Sequence, residues 1–416
     1  MTEHEDDLTT QLTRTLTDHS DVMSGSSLGL AEVKGRARSI RRRRATVAVV
    51  AAAAAVAIIV PTISLASHTG GKPEPGPATH TPSPTQTATD DGHQPASGVL
   101  DVSDLPTGDA PRMEYVTGGS VLHLVDGSTV DIDTQHPVGS FAVLADGARV
   151  WQTADDQGNA YVEVQDAEGT YHDPVPSMFG LSVSRSHDAA AWVEPGGQVM
   201  VSTAGAAEAR PLGDPIPGVQ DGARIGPFGS EDCVPDYCSV YVNVSGGNSP
   251  GQPWEVADYA TRPFTDGHML TVADLSGGVF IGYTKVTDFG SCSILWGGGE
   301  FQGFDTCKHT LASISPDKPL VLADPAYHDG IGNGVIAMYD IHGKLLWDRH
   351  NTQKAQSFYP SAQWEDGIHV LAPVFQDGKW SVVRFASDGS MEYAVPPAAG
   401  ADMDNPFVLA TGGAGL

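Results

Sequence analysis

Residues 312–323 read ASISPDKPLVLA, two short apolar runs on either side of a tight polar turn at Asp317. Runs of this length with alternating apolar positions, bounded by Gly, Pro and Asp, predict β-strands. No stretch of comparable length beyond residue 112 shows a helical period, so the sequence predicts an all-β domain. The strand-turn-strand pattern recurs as FAVLADGARVW (141–151), LSVSRSHDAAAWV (181–193), VADLSGGVFIGY (272–283) and PSAQWEDGIHVLA (360–372).

The spacing of these turns indicates a repeat. Successive turns are 42, 89, 40 and 49 residues apart, and the long interval holds one further unit if the turn near Asp236 is counted. A second turn follows about 20 residues later in three units, at Asp166, Asp340 and Asp388. Two hairpins in such an interval match one four-stranded β-propeller blade. The turns themselves fall at Asp146, Asp188, Gly277, Asp317 and Asp366.

The two ends of the repeat region predict how the ring closes. Six blades are counted from Phe141 onward, residues 112–133 supply three more strands, and PFVLAT after Asn405 is a lone strand. Joining that strand to the other three completes a seventh blade and removes exposed sheet edges. We therefore expect a propeller of seven four-stranded blades. Five to eight blades remain alternatives, and a pair of β-sandwiches is the fallback.

An apolar segment precedes the repeats. Residues 45–65, ATVAVVAAAAAVAIIVPTISL, carry no charge. This uncharged segment is long enough to form a transmembrane helix. Basic residues crowd the preceding side, at Lys34, Arg36, Arg38 and Arg41 to Arg44, whereas the next one is Lys72. The positive-inside rule then predicts a cytoplasmic amino terminus and an extracellular carboxyl-terminal domain. The alternative is a signal peptide cleaved near residues 64–66, which would release a secreted protein.

The chain thus divides into four predicted parts. Residues 1–44 form a cytoplasmic tail, mostly disordered, in which Leu8, Leu12 and Leu16 share one helical stripe. This short amphipathic helix is either a docking element or a frayed solvated tail. Residues 45–66 form the membrane helix, and residues 67–108 form a linker rich in Pro and Thr that cannot bury enough surface to fold. Residues 109–416 form the propeller.

Charge and cysteine placement both bear on function. The chain has 23 basic and 51 acidic residues. Up to and including Arg44 there are 8 basic and 7 acidic residues, so the rest of the chain has 15 basic and 44 acidic ones. Such acidity argues against nucleic acid as a partner. All four cysteines follow the apolar segment, as expected of an oxidising compartment. Three pairings are open, and the nearest-neighbour one is favoured: Cys233 with Cys238, and Cys292 with Cys307.

The repeats resemble known propeller families. SISPDKPLVLAD and LSVSRSHDAAAWVE are similar to TolB-type and WD40-type blades, and MYDIHGKLLWDR around Trp347 resembles one element of quinoprotein propellers. The whole arrangement, from arginine-rich stub to acidic propeller, resembles envelope proteins of actinobacteria, some of which accompany extracytoplasmic-function sigma factors. The resemblance implies ligand or protein binding and assigns no catalytic residue, metal or cofactor.

Motifs for chemistry are sparse. The sequence has no H-E-x-x-H, Walker A loop, G-x-G-x-x-G or EF-hand series. The candidate ligand-binding residues are Trp296, Phe301 and Phe304, in a loop that a disulfide would brace; the alternative is that they pack beneath a long loop. A second candidate is the acidic-aromatic stretch 230–237. We expect a non-enzymatic binding or sensing module, with a glycan-active propeller hydrolase or lyase, or a passive scaffold, as alternatives.

Overall fold

The computed structural model describes most of the chain beyond the predicted tail, span and linker. The predicted amphipathic helix and the apolar segment lie outside the described residues, and within the described part no helix is long and apolar enough to cross a membrane. The described residues are 96–178, 180–206, 208–219, 222–234, 236–244, 251–264, 269–287, 290–297, 303–327, 335–351, 355–357, 362–401 and 404–412.

Seven antiparallel sheets form a β-propeller. Blade 1 contains β2 (Tyr115–Thr117), β3 (Val121–His123) and β4 (Thr129–Asp131). Blade 2 contains β5 (Val138–Val143), β6 (Arg149–Ala154), β7 (Ala160–Gln165) and β8 (Val175–Ser177). Blade 3 contains β9 (Ser182–Val183), β10 (Ala189–Val193), β11 (Val199–Thr203) and β12 (Arg210–Leu212). Blade 4 contains β13 (Ala223–Phe228), β14 (Ser239–Val244), β15 (Pro253–Ala257) and β16 (Ala260–Pro263).

The remaining blades follow in chain order. Blade 5 contains β17 (Thr271–Ser276), β18 (Val279–Thr287), β19 (Gly290–Gly297) and β20 (Phe304–Thr306). Blade 6 contains β21 (His309–Ile314), β22 (Leu320–Pro325), β23 (Val335–Asp340) and β24 (Leu345–His350). Blade 7 contains β25 (Ala355–Ser357), β26 (Gln363–Trp364), β27 (His369–Gln376), β28 (Lys379–Ala386) and β29 (Met391–Ala399), with β25 and β26 both pairing with β27.

The predicted ring closure is confirmed. The last described strand, β30 (Phe407–Leu409), pairs with β2, placing Val408 opposite Val116. It is the innermost strand of blade 1, whose order is β30-β2-β3-β4. One strand from the carboxyl-terminal residues and three from the other end therefore make a single blade, so the seven-bladed prediction is also confirmed.

The predicted turns define one face of the ring. Asp146, Asp188, Asp236, Asp317 and Asp366 all lie between the innermost strand of a blade and its neighbour. We call this side the turn face and the opposite side, where the innermost strands begin, the start face. Three of these carboxylates, those of Asp146, Asp188 and Asp366, accept backbone N–H groups; Asp146 Oδ1, for example, accepts the N–H of Ala148 at 2.9 Å. This explains why Asp recurs at these turns.

The core lies between the blades. Each buried cluster joins neighbouring sheets: one packs Trp380 of blade 7 with Val116 of blade 1 and Trp151 of blade 2. Another packs Trp347 of blade 6 with Phe385 of blade 7, their rings 5.9 Å apart. Trp347 therefore packs between blades. Interblade packing rather than any one sheet holds the ring together.

Residues 96–108, placed in the linker by their composition, are ordered on the propeller. The strand β1 (Ala96–Val99) adds in parallel to the outer edge of β24. The chain then continues along blade 7 as residues 100–112, which we call the strap. Leu100 and Val102 of the strap are buried with Trp347 and Phe385 in the wedge between blades 6 and 7. Residues 96–108 contain few apolar side chains of their own, and the wedge between the two blades provides the apolar contacts that hold them in place.

Both predicted disulfides form. Cys233 pairs with Cys238 on the turn face of blade 4, and Cys292 pairs with Cys307 at the start face of blade 5. No free cysteine is found. Each bridge closes a short loop within one blade, so neither one links different blades.

Candidate ligand-binding channel

A channel of about 910 Å³ runs through the centre of the ring. It is lined by the innermost strands of blades 2 to 7 and, for blade 1, by Thr411 and Gly412 after β30. Successive side chains of a strand point to opposite sides. Along each innermost strand, some side chains therefore line the channel and others enter the interface with a neighbouring blade. Typical lining residues are Ser140, Ser182, Arg224, Asp274, Ser313 and Gln363.

The lining carries few charges. Apolar side chains alternate with hydroxyl and amide side chains, and among the described lining residues the charged ones are Arg185, Arg224 and Asp274. Asp274 is the single carboxylate among the described lining residues, and no histidine is found among them. The acidic residues lie elsewhere because a narrow ring would bring like charges together.

An ion pair crosses the turn-face end of the channel. The Arg185 Nη2 of blade 3 lies 3.1 Å from Asp274 Oδ2 of blade 5, and its Nε donates to the Leu275 carbonyl at 2.9 Å. Asp274 Oδ2 also accepts the N–H of Ile314, from blade 6, at 2.6 Å. Burial raises the pKa of Asp274, while the Arg185 guanidinium and the backbone donors oppose that shift. Both charges are satisfied within the protein, and we call this arrangement the clasp.

A second cavity, of about 950 Å³, opens beside the channel on the start face. It lies against blades 2 to 5, where Tyr161 and Met178 contribute to its wall. The channel and this vestibule share Gly180, Arg224, Asn243 and Thr271. These residues therefore mark the junction of the two cavities.

Arg224 stands at that junction. It lies on β13 directly opposite Asn243 of β14. The Asn243 side chain donates to the Val272 carbonyl and accepts its N–H, both at 2.8 Å, which fixes blade 4 against blade 5. Gly180 packs closely against β13, since a Cβ there would lie 3.2 Å from Ile225 Cγ2 and 3.4 Å from Arg224 Cγ. The backbone around Arg224 is therefore held in place by both neighbouring blades.

The guanidinium of Arg224 is exposed and has no partner among the described residues. Among the arginines of the described residues, it is the one that makes neither an ion pair nor a hydrogen bond; the others bind a carboxylate or a carbonyl oxygen. Tyr283 lies nearby: burial and then Asp324 raise the pKa of its hydroxyl, and the charge of Arg224 lowers it. A free guanidinium offers five N–H donors in a fixed fork.

The structure separates the predicted aromatic residues. Leu295 pairs with Phe304, so Trp296 lies on the opposite side of the blade 5 sheet. Trp296 is half-buried against Phe280, with ring centroids 5.9 Å apart, and Phe304 packs against Tyr339 of blade 6 at 5.5 Å. Phe301 lies outside the described residues. Trp296 and Phe304 therefore pack on different neighbours and do not share a stacking surface.

The other predicted stretch, 230–237, lies on the turn face rather than in the channel. It is braced by the bridge between Cys233 and Cys238, and Asp188 Oδ2 accepts the N–H of Cys233 at 2.9 Å. Tyr237 is 76% exposed at its tip. The described part of the loop is thus an exposed turn braced by a disulfide, and it lines neither the channel nor the vestibule.

One carboxylate and histidine group resembles a metal site but is already occupied by cationic side chains. Glu365, Asp366 and His369 lie close enough to share an ion. The Glu365 oxygens, however, both accept from Arg384, Oε2 at 2.5 Å and Oε1 at 2.7 Å, and Arg112 binds Asp366 at 3.2 Å. Arg384 also donates to the strap carbonyls of Asp109 and Ala110. The group fastens the strap to blade 7.

Comparisons with known proteins found distant structural similarities and no match to a family model or a curated protein. Among solved structures, TolB from Acinetobacter baumannii shares 13% identity over 74% of this chain and 68% of that chain, with a TM-score of 0.41. YCF48 bound to D1 peptide shares 10% over 70% and 86%, with a TM-score of 0.42. The β-propeller domain of the Trilobed protease from Pyrococcus furiosus shares 10% over 69% and 87%, with a TM-score of 0.44. The likeness concerns the fold alone.

Proposed function

We propose that this protein is a membrane-anchored binding module whose propeller lies outside the cell and takes a ligand into its central channel. The observation that carries the proposal is the channel itself, which joins a vestibule of similar size on the start face. Concave sites of this size with a few placed polar groups are the usual small-ligand sites of proteins. The clasp narrows the other end, so the ligand enters from the start face.

The lining chemistry favours binding over glycan hydrolysis. A glycoside hydrolase ordinarily uses two carboxyl groups about 5 to 10 Å apart. Asp274 alone provides a carboxyl group among the described lining residues, and its oxygens are engaged by Arg185 and the backbone N–H groups of Leu275 and Ile314. A binding role needs no such pair.

The channel proposal is tested by thermal unfolding of the full chain in a non-ionic detergent. A panel of envelope oligosaccharides and peptides should contain compounds that raise Tm through preferential binding to the folded state. Ser140→Trp, which places a bulky ring in the channel, should reduce or abolish the shift. Thr129→Trp, at an exposed position of the outermost strand of blade 1, should leave it unchanged. An equal shift in wild type and Ser140→Trp would contradict a ligand in the channel.

The location and the cytoplasmic partner are further parts of the proposal. Two disulfides support an oxidising compartment, and the arginine run before residues 45–66 supports a cytoplasmic tail. The resemblance noted above makes a sigma factor the partner to seek. Crosslinking in cells should capture one specific partner through residues 1–40. A chain lacking residues 2–33 but keeping the arginine run is the control, and equal capture by both chains would contradict a signalling tail.

A further inference from the structure

We propose that Arg224 is the anion-binding residue of the channel and holds a carboxylate or phosphate group of the ligand. This inference rests on the proposed binding function and names the chemical class of what is bound. It depends on the position of Arg224, on its lack of a partner within the protein and on the donors beside it.

The first argument is the contrast between Arg224 and the other arginines. Beyond Arg44 the chain has 44 acidic residues for 15 basic ones, so an arginine has many chances to find a carboxylate. Arg149, Arg185, Arg210, Arg262 and Arg384 each bind one. Arg224 alone among the described arginines has no acceptor, although it lies in a concave site. Its surroundings thus keep the protein's own carboxylates away from the guanidinium.

The second argument is the charge of the cavity. Arg185 and Asp274 neutralise each other at the turn-face end, which leaves Arg224 as the uncompensated charge among the described lining residues. Low-dielectric walls strengthen the field of a charge inside a cleft. The junction of channel and vestibule is therefore a positive spot inside a strongly acidic protein, which selects for a negative group and excludes a cationic one.

The third argument is the presence of further donors. The Tyr283 hydroxyl has no hydrogen-bond partner among the described residues, and Arg224 is close enough to influence its pKa. Thr271 Oγ1 accepts the N–H of Tyr283 at 3.3 Å, which leaves its own proton free to donate. A guanidinium fork with adjacent hydroxyls matches the planar oxygens of a carboxylate or the tetrahedral oxygens of a phosphate.

The direct test follows the side-chain N–H signals of the arginines by NMR. The full chain, labelled with ¹⁵N-arginine in a non-ionic detergent, is titrated at constant ionic strength with sodium acetate in one arm and inorganic phosphate in the other. The Arg224 signal, assigned by its loss in Arg224→Gln, should shift saturably at millimolar anion. Arg112 and Arg262, which are exposed but paired with carboxylates, should need at least about fivefold more anion. The arm that saturates first identifies carboxylate or phosphate as the preferred group.

Two outcomes would overturn the inference. One is an Arg224 signal that does not saturate, or that responds no more readily than that of Arg262. The other is a ligand that raises Tm in wild type and equally in Arg224→Gln, since this leaves channel binding intact and removes Arg224 from it. If Arg224→Gln does not fold, Arg224→Lys serves for assignment, and binding of anionic ligands should weaken about tenfold because the bidentate fork is lost. A panel in which no compound shifts Tm fails the binding function, while the anion titration still reports on Arg224 itself.

Discussion

Arg185 illustrates how single residues stabilise the ring. Its side chain leaves blade 3, passes the innermost strand of blade 4 and reaches Asp274 and Leu275 of blade 5. Because Asp274 also accepts the N–H of Ile314, one charge pair connects three blades at one end of the channel. The side chains are 23% and 18% exposed, so the pair is partly shielded from solvent. Partial burial makes the loss of one partner costly for the other.

Replacement of Arg185 by Met should lower the free energy of unfolding by about 1 to 3 kcal/mol, because Asp274 then keeps a charge without its cation. Denaturant unfolding monitored by tryptophan fluorescence measures the loss. Lys318→Met is the matched control, since Lys318 pairs with Asp317 on the same face but both side chains are at least half exposed. Its effect should stay below about 0.5 kcal/mol. Equal losses in the two variants would contradict a structural role for the clasp.

His309 gives a prediction about pH. It is 1% exposed, and its Nδ1 lies 2.5 Å from the Tyr339 hydroxyl. Burial, aided by the charge of Lys308 and opposed by Asp348, lowers the pKa of His309 to about 4. Below a pH of about 6.5 the His309 imidazole is protonated in the unfolded chain but stays neutral in the folded chain. The free energy of unfolding therefore falls as the pH is lowered from about 6.5 to about 4. The loss from this group should reach about 3 kcal/mol at most.

The pH prediction is measured by denaturant unfolding at several pH values from 7 to 4.5. His309→Gln should be less sensitive to acid than wild type over this range, although other groups titrate too. The exposed His342→Gln should keep the wild-type response. A response in His309→Gln as steep as in wild type would show that this histidine does not contribute.

The residues of the channel show where sequence reasoning stopped. Arg185 and Asp274 lie inside two of the repeats that predicted the fold, just before their turns. Their pairing depends on the radius of the ring and on which residues of an innermost strand face the axis. Neither quantity follows from a single blade. Arg224 could have been noticed as a charge in the strand before Cys233, but its lack of a partner required the positions of all neighbouring carboxylates.

At the scale of elements, the strap is the part with no counterpart in the repeats. It buries Leu100 and Val102 between blades 6 and 7, and it accepts hydrogen bonds from Arg384 through Asp109 and Ala110. The backbone N–H of Tyr393 donates to the Pro106 carbonyl at 2.9 Å. The strap thus closes the outer part of an interblade wedge that the two sheets leave open.

Leu100→Ala should lower the free energy of unfolding by about 2 to 4 kcal/mol, because a fully buried side chain leaves a cavity between two blades. Its neighbour Val99 is the control: it is 62% exposed, whereas Leu100 is 1% exposed. Val99→Ala should change stability by less than about 0.5 kcal/mol. Denaturant titration of the three chains measures both effects. A loss below about 1 kcal/mol for Leu100→Ala would mean that the strap is a peripheral addition.

Composition could predict the blades but not the strap. Residues 96–108, ASGVLDVSDLPTG, hold few large apolar side chains and so read as linker. Their burial comes from partners more than 200 residues away in the sequence, such as Trp347 and Phe385. The separation of Trp296 from Phe304 has a similar cause. Their sequence spacing did not reveal which faces of the sheet they occupy, and the pairing of Leu295 with Phe304 decides it.

At the scale of the whole molecule, ring closure depends on the pairing of two strands of three residues each, β30 and β2, and on their neighbours. Phe407 and Leu409 of β30 are buried in the cluster that also holds Val116 and Trp380. The spacing of the turns was enough to predict six blades, because every blade repeats the same hairpins at similar length, and the strands at the two ends supplied the seventh. The closing strand was predictable for another reason: it was the one strand without a partner nearby in the sequence.

Truncation after Asp404 should remove the closing strand and expose the inner edge of blade 1. The free energy of unfolding should fall by at least about 4 kcal/mol, because two buried apolar side chains and a strand pairing are lost together. Size-exclusion chromatography and denaturant unfolding measure the result, and the exposed edge should also promote association. A chain truncated after Gly412 keeps β30 and should behave as wild type. A monomeric, cooperatively unfolding chain that ends at Asp404 would contradict this role.

The position of β30 also has a consequence for the order of synthesis. The ribosome makes β2 to β29 before β30, and the strand made last among those described is the innermost strand of the first blade. Blades 2 to 6 can pair their strands as they emerge, whereas blade 1 must wait for residues almost 300 positions later. A nascent chain that stalls before Phe407 therefore keeps an open edge, which marks it as unfinished for the proteases and chaperones that recognise unpaired strands.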